Sequence, residues 1–186
     1  MEGECLSRIT VNKASRSGVS ALSRKLLRVL EDRESQLYKD NVAKFGIPEA
    51  LAKEAFSEKA LLEAVNSGKS TFYLALENGR KILGFAQVTL QDNEVAELDR
   101  IVVFPEYARQ GIGTKLLSKV IRDEEKRGVS KIVVSAGKDE KHARMFYEKN
   151  GFEAVEEKSL EASWGKIPLV IYQLTLKSRH QKNESR

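Results

Sequence analysis

The chain has 186 residues, a formal net charge of +5, one cysteine and two histidines. That length buries a substantial apolar core in one α/β domain without disulfide or metal support, and Cys5, His142 and His180 are too few for a metal site or a cysteine-histidine nucleophile pair. No apolar run approaches the roughly 18 residues of a membrane span, the start lacks a secretory pattern, and Lys177, Arg179, Lys182 and Arg186 against Glu184 put +3 of the charge in the last ten residues, so neither a membrane nor a nucleic acid is expected as partner.

The composition predicts a soluble, cytoplasmic protein with a single domain over residues 1–177 and a disordered basic tail over 178–186. In chain order, a short strand is expected over Leu6 to Val11. Val19, Leu22, Leu26 and Leu30 then recur at helical spacing, with Ser15 or Ser17 as N-cap. The polar stretch Glu31 to Asn41 shows no period, and Pro48 opens a second helical stretch that runs through Leu61 and Val65 to Gly68. Thr71 to Leu76 and Ile82 to Leu90 flank Asn78-Gly79, a hairpin signal, because the primed turn needs positive φ at both central residues. A turn at Asp92-Asn93 leads into a third strand, Val95 to Val103, which Pro105 halts.

Beyond it, Ile112, Leu116, Leu117, Val120 and Ile121 make one helical stripe ending at Gly128, and Lys131 to Ser135 is a short apolar strand. Strand, helix, strand implies a parallel crossover. A helix over Asp139 to Asn150 with Gly151 as C-cap follows, and then two last strands, Phe152 to Val155 and Leu169 to Leu176, around a loop containing Trp164-Gly165.

Arg109-Gln110-Gly111-Ile112-Gly113-Thr114 falls between a strand end and a helix's first turn, where backbone N–H groups are unpaired and the helix dipole is positive. Glycines let a polyanion approach that backbone, so the loop suits a pyrophosphate; the same glycines also serve a plain tight turn. A P-loop is excluded because no Gly-Lys-Ser/Thr is present, and the dinucleotide fingerprint fails because Leu116 stands at its third glycine.

The run from Ala96 through Asp99-Arg100-Ile101-Val102-Val103-Phe104-Pro105 to Thr114-Lys115-Leu116-Leu117 resembles motif A of the GNAT superfamily of N-acyltransferases. Ala143-Arg144-Met145-Phe146-Tyr147-Glu148-Lys149-Asn150-Gly151-Phe152 is similar to its motif B, and with the preceding strands the resemblance spans about residues 71–176. It departs at Ala108, where motif A usually has Arg or Gln, and at Glu140, where motif B commonly has an Asn that contacts pantetheine.

The resemblance implies an α/β (α+β) fold: a mixed, mostly antiparallel sheet flanked by helices, with strands 4 and 5 parallel at first and then splayed. It also implies acetyl-CoA as cosubstrate, with pantetheine pairing to main-chain groups of Ile101, Val102 and Val103 and the pyrophosphate resting on Arg109, Gln110, Gly111, Ile112, Gly113 and Thr114. Tyr147 would then be the acid or hydrogen-bond donor at the thiolate, its other reading being a buried helix anchor. Glu97 would be the base in preference to Asp99, both of which also read as solvated surface acids; the N–H of Ile101 would meet the oxyanion.

The acceptor region takes in Glu31, Asp32, Glu34, Tyr38, Asp40, Glu156, Glu157, Glu161 and Trp164. The leading expectation is N-acetylation of a small cationic amine such as a polyamine, with a protein N-terminus or lysine next. A non-catalytic acyl-CoA-binding or sensing module is the alternative, and a homodimer is the candidate assembly.

Overall fold

The computed structural model describes residues 8–176, apart from the side chains of residues 40 and 41. The expected basic tail, residues 178–186, lies outside them, as does Cys5. The elements run β1 (Ile9–Lys13), α1 (Arg16–Glu31), α2 (Gln36–Asn41), a 3-10 turn (Ala43–Phe45), α3 (Glu49–Ala55), α4 (Glu58–Asn66), β2 (Ser70–Glu77), β3 (Lys81–Leu90), β4 (Val95–Val103), a 3-10 turn (Pro105–Tyr107), α5 (Ile112–Arg127), β5 (Lys131–Gly137), α6 (Lys141–Lys149), β6 (Glu153–Ala162) and β7 (Gly165–Thr175).

Local chemistry accounts for most of these boundaries. Ser15 caps α1 by accepting the N–H of Gly18, and the stripe Val19, Leu22, Leu26 and Leu30 is buried. Each such side chain stabilises the fold by about 1.5–3 kcal/mol. Asn78 and Gly79 both have positive φ, and the Arg80 N–H closes the turn onto the Glu77 carbonyl. Asp92 Oδ1 accepts the N–H groups of Glu94 and Val95, which shapes the next turn.

Three expectations are corrected. The polar stretch Glu31 to Asn41 contains the helix α2, whose six residues are too few to show a period but which Ser35 caps through the Tyr38 N–H. The stretch opened by Pro48 is two helices, because Ser57 ends one and caps the next by accepting the Ala60 N–H. The last two strands extend across the expected loop to a tight turn, giving a hairpin in which Ala162 faces Gly165.

The seven strands form one sheet in the order β1-β2-β3-β4-β5-β7-β6, antiparallel except at β4-β5. One face, with Ala96, Leu98, Ile132 and Val134, packs under Leu116, Leu117 and Val120 of α5. The other, with Phe72, Leu74 and Phe85, packs against Val19, Leu22 and Leu26 of α1 and Leu61 of α4.

Candidate active site

Strand β4 changes character halfway along. Val95, Ala96 and Glu97 pair with Lys131, Ile132 and Val133 of β5, and the parallel ladder stops there although both strands continue. On its other edge β4 has a bulge: Leu98 faces Val88 and Arg100 faces Gln87, which leaves Asp99 without an opposite residue. The extra residue switches the pleat, so Ala96 and Leu98 before it and Ile101 and Val103 after it all turn toward the α5 side.

Past the bulge β4 has a free edge. The Phe104 N–H donates to Leu83 of β3, so by the alternation of an antiparallel ladder the main-chain groups of Ile101 and Val103 point away from β3 into the gap. Val102 turns its main chain to β3 and packs against the core on the α1 side. A cleft of about 360 Å³ occupies this place, lined on β4 by Ile101, Val102 and Val103 and on the other walls by Leu37, Gly113, Glu140, His142, Ala143, Phe146 and Tyr147, with Pro105 at its rim.

At one end of the cleft, Arg109 and Gly111 both adopt positive φ and lead into α5, whose N-cap Gly111 offers no side-chain cap. Among the described residues no hydrogen bond engages the N–H groups of Arg109, Gln110, Gly111, Ile112, Gly113 or Thr114; the first helical bond is from Lys115 N–H to the Gly111 carbonyl. These amides and the N-terminus of a 16-residue helix form a positively polarised surface. A Cβ at Gly113 would stand 3.3 Å from the Phe146 ring, so any larger residue there would require that ring to shift by a few tenths of an ångström.

At the other end stands Tyr147, 6% exposed and packed against the rings of Phe146, Phe152 and Tyr172. Burial, with Glu140 nearby, pushes its phenol well above the usual range, so it is a neutral donor at physiological pH. Its hydroxyl has no hydrogen-bond partner among the described residues, whereas Tyr172 behind it is held by Arg144 and Glu148. Glu140, where motif B has its Asn, accepts the N–H of Gly137 at 2.8 Å and so caps the end of β5.

The expected carboxylates lie outside this lining. Glu97 accepts from Gln91 Nε2 at 2.5 Å, and Asp99 accepts from Thr89 Oγ1 at 2.6 Å. Asp99 is exposed on its strand; partial desolvation raises its carboxyl from the ordinary value, a shift that the Thr89 hydrogen bond opposes. Glu97 pairs with Thr89 and Val133, and Val133 with Gln173, so these side chains share the sheet face opposite α5. Beyond the cover of α1 and α4, Ser135 on that face is exposed and Val133, Ile171 and Gln173 are half-buried, an open strip beside the cleft. Several acids of the expected acceptor region are already paired: Glu34 with Lys39, Glu157 with Lys138 and Glu161 with Lys166.

Leu37, His142 and Phe146 are lining residues to which the motif reading gave no role, and Glu140, its departure from motif B, lines the cleft with them. Leu37 had no signal, sitting in an aperiodic stretch, whereas Phe146 directly precedes Tyr147 within motif B.

Comparison with known proteins agrees with this geometry. The family model described as the acetyltransferase (GNAT) family matches residues 28–152. An uncharacterized N-acetyltransferase of Methanocaldococcus jannaschii is 33% identical over 99 residues, which is 50% of this chain and 42% of that protein. The ribosomal protein bS18 alanine N-acetyltransferase of Escherichia coli K12 is 36% identical over 99 residues, 52% of this chain and 64% of that one. The chain thus matches less than two thirds of the length of either relative. The PaiA N-acetyltransferase of Thermoplasma acidophilum, solved with coenzyme A, superposes with a TM-score of 0.70 at 24% identity over 90% of this chain and 99% of that chain; the likeness is one of fold.

Proposed function

Because this chain belongs to the GNAT family of acetyltransferases, we propose that it transfers an acetyl group from acetyl-CoA to a primary amine by direct attack. The observation that carries the reading is the early end of the β4–β5 ladder at Glu97 and Val133, beside a loop whose six amides have no partner among the described residues. The pyrophosphate of CoA would rest on Arg109 to Thr114, and the pantetheine arm would supply the missing neighbour of β4 by pairing with Ile101 and Val103.

In this reading the thioester carbonyl lies at the free edge of β4, where the Ile101 N–H donates to the developing oxyanion. The amine nitrogen bonds to the carbonyl carbon, the C–S bond breaks, and the thiolate takes a hydrogen bond or proton from Tyr147 Oη. The proton released by the amine passes to a carboxylate of β4, Glu97 or Asp99, through water, since neither lines the cleft. The acceptor approaches along the open strip of Ser135, Ile171 and Gln173, where these two acids favour a small cationic amine.

Acetyl-CoA turnover with a panel of amines and peptides, read as free-thiol release, tests the proposal. Amine-dependent thiol release is expected. Tight CoA binding with no release on any acceptor would replace it with a non-catalytic acyl-CoA-binding module.

A further inference from the structure

Arg100 follows the bulge of β4 and precedes Ile101, the residue at which the acyl group would react. Its guanidinium lies 4.6 Å from the centre of the Phe56 ring. Phe56 is itself fixed, because the buried Ser23 of α1 donates to its carbonyl at 2.7 Å. The cation is half-buried, and its buried Nη1 has no hydrogen-bond partner among the described residues. Among the described residues no carboxylate forms an ion pair with it; the adjacent Asp99 is turned to Thr89.

Directly across the strand pair, Gln87 is 8% exposed, and its Oε1 also lacks a partner. The two orphaned atoms are not bonded to each other. A donor bearing charge and an acceptor therefore sit opposite each other on the sheet face away from α5, next to the reacting end of β4, with both orphaned atoms shut off from solvent in the unliganded protein. A buried charged donor left unmet is destabilising, and a planar guanidinium stacked on a ring is pre-organised to receive two oxygens in its plane.

We propose that Arg100 anchors a carboxylate of the acceptor, so that the substrate is an amino-acid-like amine whose carboxylate lies a few bonds from the reacting nitrogen. The short separation follows from placement, since consecutive α-carbons are about 3.8 Å apart and Arg100 adjoins Ile101. The inference rests on the transferase reading and narrows its acceptor from cationic amines in general to zwitterionic ones.

Lysine, lysinamide and 1,5-diaminopentane form a probe series with and without the carboxylate. Calorimetric titration into the CoA-saturated protein should show lysine binding at least about 10-fold tighter than the other two, the value of one charged hydrogen-bonded contact. Arg100→Gln should abolish the difference and Arg100→Lys retain part of it, with CoA affinity unchanged in both. Equal binding of the three compounds, or tighter binding of the diamine, would overturn the proposal on the wild-type protein alone, whatever the variants do. Thiol release with the same series reports separately on the transferase reading: turnover of the diamine together with flat binding removes the anchor and keeps the enzyme.

Discussion

Tyr147 combines a buried ring with a free hydroxyl, and that combination separates its two readings. Tyr147→Phe keeps the packing on Phe146, Phe152 and Tyr172 and removes only the donor. If the hydroxyl serves the departing thiolate, kcat falls by roughly 10²-fold with acetyl-CoA affinity unchanged, measured by steady-state kinetics and calorimetry. An anchoring role predicts unchanged turnover. The two acids of β4 are told apart by the pH profile of kcat/KM. Removal of the base, by Glu97→Gln or Asp99→Asn, should lower the plateau by about 10²-fold and abolish the acidic limb, whereas the other substitution leaves both. Since partial desolvation raises the Asp99 carboxyl, a limb due to Asp99 is displaced upward from the ordinary carboxylate value.

At the scale of elements, legibility followed the length of the physical signal. The stripe of α1 and the Asn78-Gly79 turn announce themselves because four apolar positions or two positive φ angles have few alternatives. The loop Arg109 to Thr114 was readable for the same reason, as glycine spacing before a helix limits what the backbone does. Helix α2 was not, since six residues complete fewer than two turns, and it supplies Leu37 to the cleft. Nor was the position of the bulge, which depends on the register of β3 and so on a partner strand absent from any local pattern. That bulge decides where Asp99 and Arg100 stand, so the acceptor side stayed unread while the phosphate side was clear. The break between α3 and α4 rests on the hydroxyl of Ser57. Ser57→Ala should destabilise the protein by about 1 kcal/mol in a denaturant titration, with the loss falling on the α4 cap.

Across the molecule, acid lability has an identifiable source in Asp123 of α5, 2.8 Å from Lys119 Nζ and 3.8 Å from Lys13 of β1. Burial alone would raise its carboxyl, but the two lysines hold it below the ordinary value. With the folded pKa below the unfolded one, the stabilisation is present above the unfolded value, about 3.9, and disappears as pH falls through the folded one. Thermal melts of wild type and Asp123→Asn should therefore converge as pH drops below about 4 and separate above it.

Among the described residues, the ladder between the plate β1–β4 and the plate β5–β7 is the three rungs at Val95 to Glu97, with the Glu94 carbonyl bonded to Ser130 and Lys131 at their start. A molecule bridging the wedge beyond them acts as a splint, adding stiffness where the protein has least. Amide deuteration should slow at Ile101 and Val103 when CoA is added, while the rungs themselves, already bonded, change little. The place where the sheet is weakest is thereby the place where a visitor's backbone-like arm has most to brace.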